Sequence, residues 1–232
     1  MKAGGLPARW WLTEWATYLW AALGSSILMF GGLRLWHLKI GIPLYYSGDA
    51  LATGAHFKTV LSQGWFEYEP QLGAPTGELY YDFPQADNFH LIAAKVLGLF
   101  SSQWPVVMNV YFLIGFPLTA LAAVWFLRVV GVSRILSIVL AGVYAIAPYH
   151  FQRNEAQLYL ASYYPIPLAL VLLVWIFRGE PIWTRRSGVD RWWGIFTGRG
   201  AAVVLILALL GTASQYYSVF FLILLSFTGI VT

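Results

Sequence analysis

An all-α, polytopic transmembrane bundle of about five to six spans is the fold class that the sequence predicts. Three observations predict it. Of the 232 residues, 59% are hydrophobic and only 10% are charged, with a mean hydropathy of +0.65; a soluble domain carries roughly 25% charged residues. The apolar residues form continuous runs close to the ~20 residues that a helix needs to cross a bilayer. The basic residues segregate to alternate connections between those runs.

The clearest apolar runs are 15–33, 105–127 and 161–177, with weaker ones at 135–147, 201–213 and 219–232. They are unbroken rather than alternating, which favours helices over barrel strands of about 10 residues. The first run lacks a small-residue cleavage site and is long for a signal peptide, so it is expected to be a retained anchor. There is no cysteine, which excludes disulfides and thiolate metal sites. Twelve Trp and fourteen Tyr suit a chain with extensive membrane–water interface.

With the N-terminus in the cytoplasm, the inner segments are 1–14, 128–134 and 178–199. They hold nine basic residues, Lys2, Arg9, Arg128, Arg134, Arg178, Arg185, Arg186, Arg191 and Arg199, against Glu14, Glu180 and Asp190. The net charge of +4 is thus distributed by membrane side, not as a nucleic-acid-binding face, and no nucleic-acid partner is expected. The chain reads as one transmembrane domain over 1–232, with a long first extracytoplasmic loop over 40–103. The apolar run at its end suggests the N-terminal part of a longer protein.

The first loop carries two expected amphipathic helices. Over 49–63 (DALATGAHFKTVLSQ), Ser47 or Asp49 is a candidate N-cap, and Asp49, Thr53, His56 and Gln63 share one helical face. A carboxylate and an imidazole so spaced can share a proton, a metal ion or a sugar hydroxyl. A wet face on an interfacial helix has the same pattern. Asp49 stands out because it follows the first span closely, where a carboxylate tends to have a task. Residues 64–85 are rich in Gly, Pro, acids and rings. Trp65, Tyr68, Tyr80, Tyr81 and Phe83 suit stacking on sugars or anchoring at headgroup level. The second helix is expected over 85–100, with Asp87, His90 and Lys95 along one side. Asp87 and His90, at i,i+3, are close enough to hydrogen-bond or share a metal.

The second outer segment, YHFQRNEAQLYLASYY over 149–164, puts His150, Arg153, Asn154 and Gln157 on one face if it is helical. Its arginine has the fork geometry for a lipid phosphate, or snorkels to headgroups. Pro165 then opens the next span, where its missing N–H is harmless. Near 212–218, Gln215, Tyr216 and Tyr217 line the same cavity or serve helix packing.

A first span, a large outer loop with two amphipathic helices and an acid just after the span together resemble the GT-C superfamily of membrane glycosyltransferases. That superfamily includes oligosaccharyltransferases, protein O-mannosyltransferases and aminoarabinose transferases. The segments that carry the resemblance are YYSGDALATGAHFKTVLSQGWF, EPQLGAPTGELYYDFPQADNFH and PYHFQRNEAQLYLASYYPIP. The resemblance implies transfer of a sugar from a polyprenyl-phosphate donor on the extracytoplasmic face of a bacterial or archaeal plasma membrane. It carries the role of catalytic residue to Asp49, with Asp82 or Asp87 as the second acid. His56, Asp82, Asp87, His90, His150, Arg153, Asn154, Gln157 and Tyr216 are the candidate substrate-binding residues. A divalent metal ion is the candidate cofactor, with Asp49, Asp87 and His90 as candidate ligands. The chain departs from the family in lacking an adjacent Asp-Glu pair and a D-x-D; Glu67 and Glu69 are the nearest spacing. The competing readings are a lipid-linked-sugar flippase or transporter and a non-catalytic assembly subunit. Ion-coupled transport is disfavoured because nearly all charges fall at span ends or in loops, not at mid-membrane.

Overall fold

The computed structural model describes residues 13–81, 87–183 and 198–231. Of these, 70% are helical and 2% lie in strands. Two helical segments, Trp104–Val129 and Arg134–Arg153, are long and apolar enough to cross a membrane.

Helix α1 (Glu14–Gly32) starts where the Thr13 side-chain oxygen accepts from the Ala16 N–H, with the Glu14 carboxylate in the first turn. Both features satisfy or complement the free N–H groups of a helix start. Thr13→Ala should therefore lower stability by about 1 kcal/mol. Thermal unfolding followed by circular dichroism in detergent checks this, and an unchanged midpoint would remove the cap from the account.

Helix α2 (Asp49–Gln63) matches its expected bounds, and α3 (Asn88–Leu97) is shorter than expected at both ends. Between them, β1 (Tyr68–Glu69) and β2 (Glu78–Leu79) form a two-residue antiparallel ladder. Helix α4 (Trp104–Val129) opens with Pro105 in its first turn. The next helices are α5 (Arg134–Ala145), α6 (Pro148–Arg153), the single turn α7 (Leu158–Ala161) and α8 (Pro165–Phe177). The region 199–231 is two helices, α9 (Arg199–Ala213) and α10 (Gln215–Val231). They are separated by Ser214 in extended backbone, φ −165°.

Helices α1, α4 and α5 pack on one another. Ala21, Ala120, Ala123, Ala141 and Ala145 are buried in one cluster there, and such small side chains let helix backbones approach. Helix α8 packs on α4, α9 and α10, around Val171, Leu172, Trp175, Ile206, Leu210 and Phe221. A third core, with Phe57, Val60, Leu91, Met108 and Phe112, joins α2 and α3 to α4.

Arg128, Arg134, Arg178 and Arg199 gather at one end of this assembly. Glu14 at the start of α1 pairs with Arg128 (2.8 Å) and Arg134 (2.9 Å). Arg178 donates to the Val129 carbonyl (2.9 Å), and Arg199 pairs with Glu180 (2.5 Å). Helix α2, α3 and the α9–α10 break lie toward the other end, because α4 runs between them. The outer faces are apolar. Trp15, Leu19, Leu23 and Ile27 on α1, Ile135, Val139 and Val143 on α5, and Phe220, Ile223, Phe227 and Ile230 on α10 are exposed. Trp15 is 87% and Ile230 83% accessible.

Candidate functional site

The chain from α1 to α2 has no regular secondary structure beyond one turn at Leu35–His37, so side chains from elsewhere must hold it. Asn109 of α4 does so on both edges of its amide. Its Nδ2 donates to the carbonyls of Ile40 (2.7 Å) and Ile42 (2.8 Å), and its Oδ1 accepts from the Leu44 N–H (3.0 Å). Glu155 completes the clamp, with Oε2 accepting from the Tyr45 N–H (2.9 Å). Asn109 and Glu155 are both fully buried. Gly48, at φ +55°, then turns the chain into α2, a left-handed conformation that glycine adopts without Cβ strain. No side chain caps this helix. The expected capping by Ser47 or Asp49 does not occur, because Ser47 donates instead to the Tyr45 hydroxyl (2.9 Å) and Asp49 is the first helical residue.

The face of α2 carrying Asp49, Thr53 and His56 borders a cavity of about 570 Å³. Asp87, at the start of α3, also lines it, as do Gln157, Tyr159, Ser214 and Tyr216. Five of the sequence-predicted residues, Asp49, His56, Asp87, Gln157 and Tyr216, thus meet in one place from four separate stretches of chain. Asp49 and Tyr216 are exposed, whereas His56 is buried and packs edge-on to Tyr80 (5.0 Å between ring centroids). Burial lowers the His56 pKa, partly opposed by the Glu78 carboxylate, so its imidazole is biased toward the neutral form. Burial raises the Asp87 carboxyl to about 6, near the range in which a carboxyl exchanges protons at neutral pH.

Other expectations are corrected. His90 does not share the cavity with Asp87. Its Nδ1 meets the Tyr111 hydroxyl, its Nε2 meets the Ala213 carbonyl, and its ring stacks on Tyr159 (4.8 Å). With both nitrogens engaged inside the protein, His90 ties α3 to the end of α9. Burial accordingly lowers its pKa to about 4. His150 is also structural. It stacks on Phe116 (3.7 Å, 5° between planes), and its Nδ1 bonds to the Ala145 carbonyl (3.1 Å).

The expected single face of His150, Arg153, Asn154 and Gln157 does not form, because the helix stops at Arg153. Asn154 has φ +39°, and its Oδ1 accepts from the Ala156 N–H (2.7 Å). This is an Asx-type turn, and Asn is among the few residues that tolerate positive φ. Arg153 lies over the Tyr149 ring (5.0 Å) and donates to Gln157. It therefore adjoins the cavity through Gln157 rather than lining it. Asp82 lies outside the described residues. Among the described residues, no three His, Asp or Glu side chains gather to hold a metal ion.

Comparison with protein families, with curated proteins and with solved structures finds no match to this chain. The site therefore rests on its own geometry.

Three residues that sequence reasoning did not single out, Glu155, Tyr159 and Asn109, belong to this region. Glu155 leaves Oε1, and Tyr159 its hydroxyl, without a hydrogen-bond partner among the described residues. Burial raises the Glu155 carboxyl to about 7, against the opposing hydrogen bond from the Tyr45 N–H. Asn109 is the third such residue. A lone Asn inside the apolar run 105–127 was the available signal, since a polar side chain in such a run usually has a bound partner.

Proposed function

We propose that this chain is an integral membrane glycosyltransferase of the GT-C type. It would transfer a sugar from a polyprenyl-phosphate-linked donor to an acceptor hydroxyl on the extracytoplasmic face. The observation that carries the reading is the meeting of Asp49, His56, Asp87, Gln157 and Tyr216 in one cavity, at the end away from Arg128, Arg134, Arg178 and Arg199.

Membrane insertion is supported by the apolar outer faces of α1, α5 and α10, since soluble monomers rarely expose contiguous apolar patches beyond a few hundred Å². The arginine-rich end is then cytoplasmic by the positive-inside rule, and the cavity opens outside. In this reading α1, α4, α5–α6, α8, α9 and α10 are the six spans. At 13 residues, α8 is short for a ~30 Å hydrocarbon core, so neighbouring helices and the interfacial residues at its ends complete that span.

Asp49 accepts the proton of the acceptor hydroxyl as its oxygen attacks the anomeric carbon. The bond from that carbon to the lipid phosphate breaks, and the phosphate leaves with the bonding pair. Arg153, joined to the cavity through Gln157, is the cation assigned to the departing phosphate. Asp49 and Asp87 are the two cavity carboxylates able to hold a divalent ion; no step here depends on one. The test is transfer of radiolabelled sugar from polyprenyl-phosphate donors in proteoliposomes, wild type against Asp49→Asn.

The acid limb of the pH profile follows from Asp87. Its carboxyl, raised to about 6, becomes neutral as pH falls through that value and loses the charge that strengthens its hydrogen bond from a substrate hydroxyl. Transfer should drop below pH 6, and Asp87→Asn should be slow throughout with that limb gone. A kcat/KM profile from pH 4.5 to 8 measures this, and an unchanged limb in the variant would assign it elsewhere.

A further inference from the structure

Helix α2 has a second lined face. Leu51, Gly54, Ala55 and Lys58, spaced i, i+3, i+4 and i+7, border a separate cavity of about 280 Å³. They lie on the side of the helix away from Asp49, Thr53 and His56. Trp104 and Tyr46 form one wall, their rings adjacent at 6.2 Å and inclined by 35°. Trp104 comes this close because residue 54 is glycine: a Cβ there would stand 2.7 Å from the indole Cζ3, well inside contact distance.

The facing wall is polar. Lys58 Nζ donates to Gln71 Oε1 (2.9 Å). Glu69, buried, accepts from the Thr59 hydroxyl and from the Gln71 N–H (2.9 Å). The polar wall therefore offers an ammonium, an amide and a carboxylate in fixed positions, with one positive and one negative charge.

We propose that this cavity binds a neutral pyranose ring between the Tyr46–Trp104 wall and the Lys58–Gln71–Glu69 wall. One face of a pyranose presents C–H groups, whose positive edges suit the negative face of an aromatic ring. Its rim presents hydroxyls that both donate and accept, which suits a wall containing Lys, amide and carboxylate groups. The paired charges match a neutral sugar better than an acidic one, which would meet the Glu69 carboxylate. The site stands independently of the transfer reaction, because none of its walls contributes to the cavity of Asp49. A free saccharide and the headgroup of a glycolipid share this chemistry.

The experiment measures binding to the full chain in two arms. Saturation-transfer NMR on detergent-solubilised protein uses the methyl glycosides of glucose, galactose, mannose and N-acetylglucosamine. Nanodiscs holding the full chain with or without glucosyl-diacylglycerol use quenching of Trp fluorescence. Binding is expected in at least one arm, and which arm responds identifies the source of the sugar. Tyr46→Ala and Lys58→Ala, at exposed positions, should each weaken it by roughly tenfold. Gly54→Leu should abolish it by displacing Trp104, with folding followed by circular dichroism. Asp49→Asn should leave it unchanged. Absence of binding in both arms would overturn the proposal, as would binding that survives Tyr46→Ala and Lys58→Ala. Loss in Asp49→Asn would place the sugar in the other cavity and equally overturn it, without bearing on whether transfer occurs.

Discussion

Asp49→Asn is expected to lower sugar transfer by about 10²–10⁴-fold, the range for loss of a positioned general base. The substitution keeps the size and hydrogen-bonding reach of the side chain and removes its ability to take a proton. Asp49 is exposed at the first turn of α2 and makes no cap hydrogen bond, so stability should change by no more than about 0.5 kcal/mol. The two readouts separate chemistry from folding. Transfer lost at an unchanged unfolding midpoint assigns the base to Asp49. Transfer retained near the wild-type rate removes Asp49 from the mechanism, and Asp87 becomes the candidate. No transfer by either protein from any polyprenyl-phosphate sugar would turn the proposal toward a carrier of lipid-linked sugars.

Glu155 carries the largest expected effect on stability. Glu155→Ala leaves the Tyr45 N–H without its acceptor and empties a fully buried position. The lost hydrogen bond costs about 1 kcal/mol, and the vacated volume adds to it. The loss should loosen the 40–48 segment that delivers Asp49, so transfer should fall along with the unfolding midpoint.

Glu155→Gln separates the acceptor from the charge. Burial holds the carboxyl at about 7, above its ordinary value of 4.5, so the folded state favours the neutral form. A carboxyl raised in the fold contributes fully below the unfolded pKa, and that contribution is lost as pH rises through the folded one. Relative to Glu155→Gln, the wild type should therefore lose up to about 3 kcal/mol between pH 4.5 and 8, at ~1.4 kcal/mol per pKa unit. Glu155→Gln keeps an oxygen for the Tyr45 N–H and cannot ionise. Its stability should lack the Glu155 component of the pH dependence, leaving that of groups such as Asp87 and His90, and should exceed the wild type at pH 8. Unfolding midpoints at pH 5 and pH 8 decide this. A glutamine variant less stable than wild type at pH 8 would mean that an ionised Glu155 has a stabilising partner.

Much of the helical framework was legible because apolar runs are a one-dimensional signal. The runs 15–33, 105–127 and 161–177 correspond to α1, α4 and α8, and the bounds of α2 were read to the residue. The break between 201–213 and 219–232 could be sensed from Thr212–Ser218, but its position at Ser214 could not. The stretch after Pro148 is not the single helix on which its one-face reading depended. Its residue types permit a continuous helix, and only the turn at Asn154 shows that His150 faces Phe116 while Gln157 faces the cavity.

The sequence by itself determined the helical class, the charge segregation and the placement of Asp49 and His56 on one face of α2, because periodicity and composition depend only on near neighbours in the chain. The tertiary structure alone decided which polar residues serve the cavity. His90 and Asp87 are three residues apart, yet one locks α9 in place and the other lines the site, because Ala213, 123 positions away, supplies the partner. Asn109 and Glu155 hold the segment before Asp49 across separations of 65 and 110 residues. Hydrogen bonds over such distances leave no periodic trace in a sequence, and they are what sets the geometry of the site.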